Sequence, residues 1–239
     1  MIGVIVNVIT VIVGSCLGMI FKKGISKKVS RAVMVGLGAC ALYIGISGSL
    51  CGENVLILIA SVVLGVIVGT LLKIDDGINR LALAVERKFR KDDDSRPSIA
   101  AGLVTATLLF CVGSMTVTGS IQAGMTGDNS ILYTKAMLDL VASIFLAASL
   151  GVGVLLSSVS VFVIQGGLVL LSEVIAPFLS VGATNEMICA GSLLIIMLGT
   201  NLMGMTKIKI ADFLPAILFA PLIYNLTPLF ERLYSIIIK

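Results

Sequence analysis

The chain has no histidine and little charge: Asp, Glu, Lys and Arg make up 13% of its 239 residues. Without histidine it lacks the usual neutral-pH proton carrier and the commonest metal ligand. Its five cysteines, Cys16, Cys40, Cys51, Cys111 and Cys189, contain no C-x-x-C pair. Four of them lie inside apolar runs and read as small core hydrophobes, whereas Cys51, near a membrane edge, reads as a free thiol. There is no G-x-x-x-x-G-K-[ST] and no H-E-x-x-H, so neither direct ATP drive nor a zinc hydrolase is supported. Few aromatics stand among the basic residues, and no nucleic-acid surface is expected. No catalytic residue, metal or cofactor is expected either.

What fills the chain is apolar: 58% of it is hydrophobic, against ~45–50% apolar and ~25% charged in a soluble domain. A soluble fold could not cover so much apolar surface. The expectation is an all-α integral membrane protein with about eight transmembrane helices, each needing ~20 mostly apolar residues. The candidate spans are 2–21, 32–50, 54–72, 99–118, 136–156, 159–176, 187–205 and 211–230. Leu140–Leu171 has no charge and is too long for one crossing; Gly151, Gly153 and the Ser157–Ser158 pair offer the turn, placed at 157–158. Lysines and arginines fall in the connections 22–31, 73–98 and 206–210, and none falls in 51–54, 119–130 or 177–186. Basic loops stay in the cytoplasm, which puts both termini outside. Met1–Phe21 has no basic region ahead of its apolar run and reads as a retained span rather than a leader.

Between 73 and 98, Ile78, Leu81, Ala82, Val85 and Phe89 recur at helical spacing among charges, the pattern of an amphipathic helix on the membrane surface. The polar RKDDDSRP that follows divides the chain into a three-span part, 1–91, and a five-span part, 98–239. Gly14/Gly18, Gly48/Gly52 and Gly65/Gly69 are G-x-x-x-G pairs. In lipid, close helix approach rests on such small residues, either within the chain or in the homo-oligomer that we expect.

The fourth span is short. Ile99–Val112 is strongly apolar, and Gly113–Ser130 then brings Gly113, Gly119, Gly124, Gly127, Gln122, Asp128 and Asn129. Such a segment is either a broken or re-entrant span lining a site or a short helix followed by an external loop. Lys135 and Asp139 follow at i, i+4. Near the interface they are a snorkelling pair; facing the interior they are functional candidates. Gln165, Asn201 and Asn7 are further membrane-depth amides, read as interhelical ties or as site residues. Pro215 and Pro221 should kink the last span and free carbonyls around Ala211 and Ile217.

The stretches LLFCVGSMTVTGSIQAGMTGDNSILYTKAMLD, SLGVGVLLSS and VIQGG resemble the core of the YqgA/YdfK-type bacterial membrane proteins, a domain-of-unknown-function family (number 554). The likeness extends to VNVITVIVGSCLG and LGTNLMGMTKIKIADFLPAIL, and so covers nearly the whole chain. It implies a multi-pass protein of the bacterial inner membrane and supplies no activity. It falls on Gly113, Gln122, Gly124, Gly127, Asp128, Lys135, Asp139, Gln165 and Asn201, with Ala123 standing where an acidic residue is expected. The function expected is a secondary transporter of a small polar or ionic solute, coupled to sodium or a proton. The alternatives are a channel or a non-transporting scaffold. Spans 1–3 and 6–8 would then form an inverted repeat.

Overall fold

The computed structural model describes residues 1–21, 27–80 and 99–237. Among them there are helices and no strands: α1 (Ile2–Phe21), α2 (Lys27–Ser49), α3 (Val55–Leu71), α4 (Ile74–Arg80), α5 (Ile99–Cys111), α6 (Ser114–Met125), α7 (Ser130–Leu150), α8 (Val152–Leu170), the single turn α9 (Ser172–Ile175), α10 (Val181–Leu202) and α11 (Ala216–Ile237). The greater part of the proposed amphipathic helix and the polar linker, 81–98, lies outside the described residues.

Among the described residues five stretches, α1, α7, α8, α10 and Ile210–Thr227, are long and apolar enough to cross a membrane, and the bent pairs α3–α4 and α5–α6, each taken as one span, bring the total to seven. The eighth expected span is α2. It is apolar only over Met34–Ser49, because Lys27, Lys28 and Arg31 occupy its first turns. It nevertheless lies against α10 from Gly38, beside Met203, to Gly48, beside Ser192.

The helices meet through their glycines. α1 runs parallel to α7: the Gly3 N–H donates to Asn129 Oδ1 at 3.0 Å, Gly14 faces Leu140, and Gly18 faces Ile144 and Ala148. α2 is antiparallel to α10. α3 is antiparallel to the start of the last span, with Gly65 on Ala216 and Gly69 on Asp212. A Cβ on Gly65 would lie 2.5 Å from the Ala216 nitrogen. All three G-x-x-x-G pairs are therefore used inside the chain rather than left facing a second copy. With α1 also against α8, spans 1, 2 and 3 each touch span 6, 7 or 8 in turn.

These pairings define two ends of the bundle. One end, here the N-face, carries Met1 and the turns 50–54, 126–129 and 171–180, none of which contains Lys or Arg. The opposite, basic face carries the start of α2, Lys73, Arg80, Lys207 and Lys209. The turn between α7 and α8 is Gly151 alone, at φ 73° and ψ −143°. It replaces the turn expected at 157–158, because only glycine takes that backbone conformation freely. Ser157 and Ser158 instead lie inside α8 and return their hydroxyls to the Val154 and Leu155 carbonyls.

If these glycines hold the monomer together, Gly65→Leu should sharply lower thermal stability in detergent, whatever the oligomer. Gly36→Ala, on an exposed stretch of α2 where an added Cβ meets nothing within 4 Å, should be neutral or stabilising by up to ~1 kcal/mol. A Gly65→Leu protein as stable as the parent would remove the argument.

Candidate functional site

α5 and α6 form one crossing bent by 60°. The break falls at Val112–Gly113, a Gly–Ser junction of the kind at which helices kink. Gly113 is extended (φ −70°, ψ 154°) and caps α6. Breaking the ladder frees carbonyls, and Thr116 Oγ1 satisfies one of them by donating to the Phe110 carbonyl at 2.9 Å. At one end Gly102 of α5 packs on Gly153, and at the other Gly124 of α6 packs on Val169, where a Cβ would lie 2.5 Å from the carbonyl oxygen. The broken span thus follows α8 from one face to the other. Of the two readings of this segment, the structure has the broken span, in its crossing rather than its re-entrant form, and not a short helix followed by an external loop.

Beside it, three helices place polar groups in contact. Lys135 Nζ donates to Asp139 Oδ2 at 2.7 Å, and Asn7 Nδ2 donates to the same oxygen at 3.0 Å. Asn7 Nδ2 also donates to Gln165 Oε1 at 3.2 Å. Lys135 and Asp139 are each 6% exposed, and Asn7 and Gln165 are 0% exposed. Counting ~1.5 Å per residue from the N-face ends of α1, α7 and α8, all four lie ~8–14 Å deep. Lys135 and Asp139 therefore face the interior and do not snorkel. Gln165 Nε2 is buried and has no partner among the described residues. The buried thiol of Cys111, next to the break, lies close to the pair.

Apolar layers close the cluster on both sides. Toward the N-face lie Val4, Ala123, Leu132 and Val169. Toward the basic face lies a thicker layer, including Val11, Phe110, Leu146, Val154 and Val161. Beyond that, on the basic side, a cavity of about 320 Å³ is lined by Asp75, Asn79, Thr105, Leu150 and Asn201 among others. Asn7, Lys135, Asp139 and Gln165 do not line it.

The remaining candidates sit elsewhere. Gln122, Asp128 and Asn129 build the N-face turn: Gln122 Nε2 donates to Asp128 Oδ2 at 2.7 Å, and Asn129 Nδ2 donates to the Gly127 carbonyl at 2.8 Å. The Ser130 backbone N–H, followed by the Ser130 and Gln122 side chains, holds the Asp128 carboxyl below its ordinary range. Gly127, at φ 76°, makes that turn, while Gly119 faces Ile131 and Gly124 faces Val169 and Ser172 as contact points. Asn201, on the basic side, folds the 206–208 loop: its Nδ2 donates to the Ile208 carbonyl, and its Oδ1 accepts from Ile208 N and Thr206 Oγ1. Pro215 does not kink the last span but precedes α11, where its missing N–H is harmless, and the Ala211 carbonyl is taken by Leu214 N–H at 3.2 Å. Pro221 lies within α11, and its carbonyl accepts from Asn225 Nδ2 at 2.9 Å.

The family described as Protein of unknown function (DUF554) matches residues 2–225. The chain belongs to this family. It is 32% identical over 227 residues to the Uncharacterized membrane protein YdfK of Bacillus subtilis (strain 168), covering 93% of this chain and 95% of that protein. It is 26% identical over 221 residues to the Uncharacterized protein YqgA of Escherichia coli (strain K12), covering 92% and 94% respectively. No solved structure matches. Membership in DUF554 brings a membrane protein and no chemistry, so function must be argued from the site.

Two further buried carboxylates went unremarked in the sequence. Glu186, 1% exposed, accepts from the Glu53 and Asn54 N–H groups at 2.8 Å each, ahead of α3. Asp212, 7% exposed, accepts from the Asp75 N–H of α4 at 3.0 Å. Their signal was an acidic residue within or beside an apolar run. Asn7 was visible as a membrane-depth amide, read first as an interhelical tie, without its link to Asp139 and Gln165.

Removing one half of a buried ion pair strands the other. Lys135→Met should lower stability by ~3–5 kcal/mol, and Lys135→Met/Asp139→Leu should recover most of that loss. Reversible unfolding in detergent measures both; a single variant as stable as the parent would show that the pair is not closed.

Proposed function

We propose that this protein is a secondary transporter, moving a small polar or ionic solute across the bacterial inner membrane at the expense of an ion gradient. The observation that carries this reading is the Lys135–Asp139 pair, buried at membrane depth with Asn7 and Gln165. Intramembrane charges are expensive and mark solute or ion pathways. One amide donor of the cluster, Gln165 Nε2, has no partner among the described residues.

The surroundings support the same reading. The cluster adjoins a discontinuous helix, the element from which midplane transporter sites are built. It is shut between two apolar layers, a thin one toward the N-face and a thick one toward the basic face. Alternating access requires each layer to part in turn. The cavity on the basic side forms a vestibule that stops at the thick layer. Basic loops favour the cytoplasm, so in this reading the vestibule faces inward and the N-face, with both termini, faces outward.

The transport test uses the purified chain in proteoliposomes loaded with candidate solutes under imposed sodium or proton gradients. Saturable, gradient-driven uptake is expected, and Asp139→Asn should abolish it in protein that still inserts. Unsaturable flux that ignores the gradient would indicate a pore instead.

Orientation has its own check. Cysteines introduced at Thr126 and Lys207 in a cysteine-free background should react differently with an impermeant thiol reagent on intact cells: Thr126→Cys labels and Lys207→Cys does not. The reverse pattern would invert the vestibule.

A further inference from the structure

The chemistry of the cluster narrows the solute, on the assumption that the cluster is the transport site. Part of its donor capacity is left unused. Gln165 Nε2 has two hydrogens and no partner among the described residues, and the Lys135 ammonium has three hydrogens, of which one is directed to Asp139. Unused donors of this kind suit a ligand with acceptor oxygens.

Charge sets the second condition. Lys135 and Asp139 cancel. An anion that drew Lys135 away would leave the Asp139 carboxylate buried without a counter-ion, and a lone buried charge is strongly disfavoured. A ligand that engages Lys135 must therefore bring a positive charge for Asp139. The two head groups are one helical turn apart and in contact, so the ligand's charges must be close together.

We infer that the site takes a small zwitterion, a carboxylate and an ammonium on one short carbon frame such as an α-amino acid, with the carboxylate on Lys135 and Gln165 Nε2 and the ammonium on Asp139. The ligand exchanges with the internal ion pair: one Lys–Asp contact opens and two ligand contacts replace it, so the buried charge stays balanced throughout. Asn7, which bridges Asp139 and Gln165, is the positioning residue that keeps the two ends in register.

The test is ligand-induced stabilisation of the full chain in detergent, which follows mass action. The probes are glycine, L-alanine, L-serine and L-glutamine, with propionate and propylamine as single-charge controls, each in sodium and in choline buffer. At least one amino acid should raise the melting temperature in both buffers, and neither control should do so. Lys135→Gln/Asp139→Asn, which removes both charges at nearly constant shape and strands neither, should remain folded and lose affinity by at least ~10-fold. Propionate acting with sodium as well as any amino acid would overturn the assignment in favour of a carboxylate–cation pair. Undiminished amino-acid binding by the double variant would overturn it by removing the site. If no amino acid binds but proteoliposomes still move another solute in an Asp139-dependent way, the zwitterion assignment fails and the transport reading stands. If nothing is moved, both fail.

Discussion

In a bilayer no hydrophobic force drives one apolar helix onto another, because lipid tails are as apolar as leucine. At the seams that join α1, α2 and α3 to their partners the helices meet by backbone approach, through a glycine on at least one side. Gly14 and Gly18 set α1 on α7; Gly38, Gly45 and Gly48 set α2 on α10; Gly65 and Gly69 set α3 on Ala216 and Asp212. The polar cluster depends on the first of these seams. Asn7 is a short side chain, and it reaches Asp139 only because α1 and α7 approach closely one to two turns further along. Bulk at Gly14 would separate the two groups without touching either of them.

Much of this could be read along the chain, and the limits have a physical pattern. α1, Ile2–Phe21, covers the apolar run that opens the chain. The i, i+4 spacing of Lys135 and Asp139 gave their contact directly, because helix geometry relates such residues wherever the helix lies. The convergence with Asn7 and Gln165 was hidden, since it joins positions 132 and 158 residues apart through helix pairings that no local period encodes. For the same reason the grouping of Gln122, Asp128 and Asn129 with the deep residues dissolves. They are near in sequence, but α6 carries them to the N-face turn. The 157–158 turn failed for a local reason: two serines are a common loop signal, yet both hydroxyls are content inside a helix, and a single glycine at positive φ suffices to reverse the chain.

The buried carboxylates fall into two kinds. Glu186 and Asp212 accept backbone N–H groups near the ends of α3 and α4 and fasten the turns between helices. Asp139 instead takes its partners from side chains on two helices. Burial alone does not separate these cases; the identity of the donors does. Backbone amides are fixed for as long as the helix exists, whereas a lysine and an asparagine can rotate away.

The unequal thickness of the two apolar layers has an electrical consequence. A transmembrane potential falls mainly across the part of the protein that excludes water, at ~2.3 kcal/mol per elementary charge per 100 mV over the full drop. With Asp139 and Lys135 only ~8–14 Å from the N-face ends of their helices, most of that drop lies between the pair and the basic face, across the layer containing Val11, Phe110, Leu146, Val154 and Val161. A charge moving between the N-face and the cluster would do little electrical work, and one moving between the cluster and the basic face would do most of it. Voltage would therefore bear on charge displacement on one side of the cluster far more than on the other.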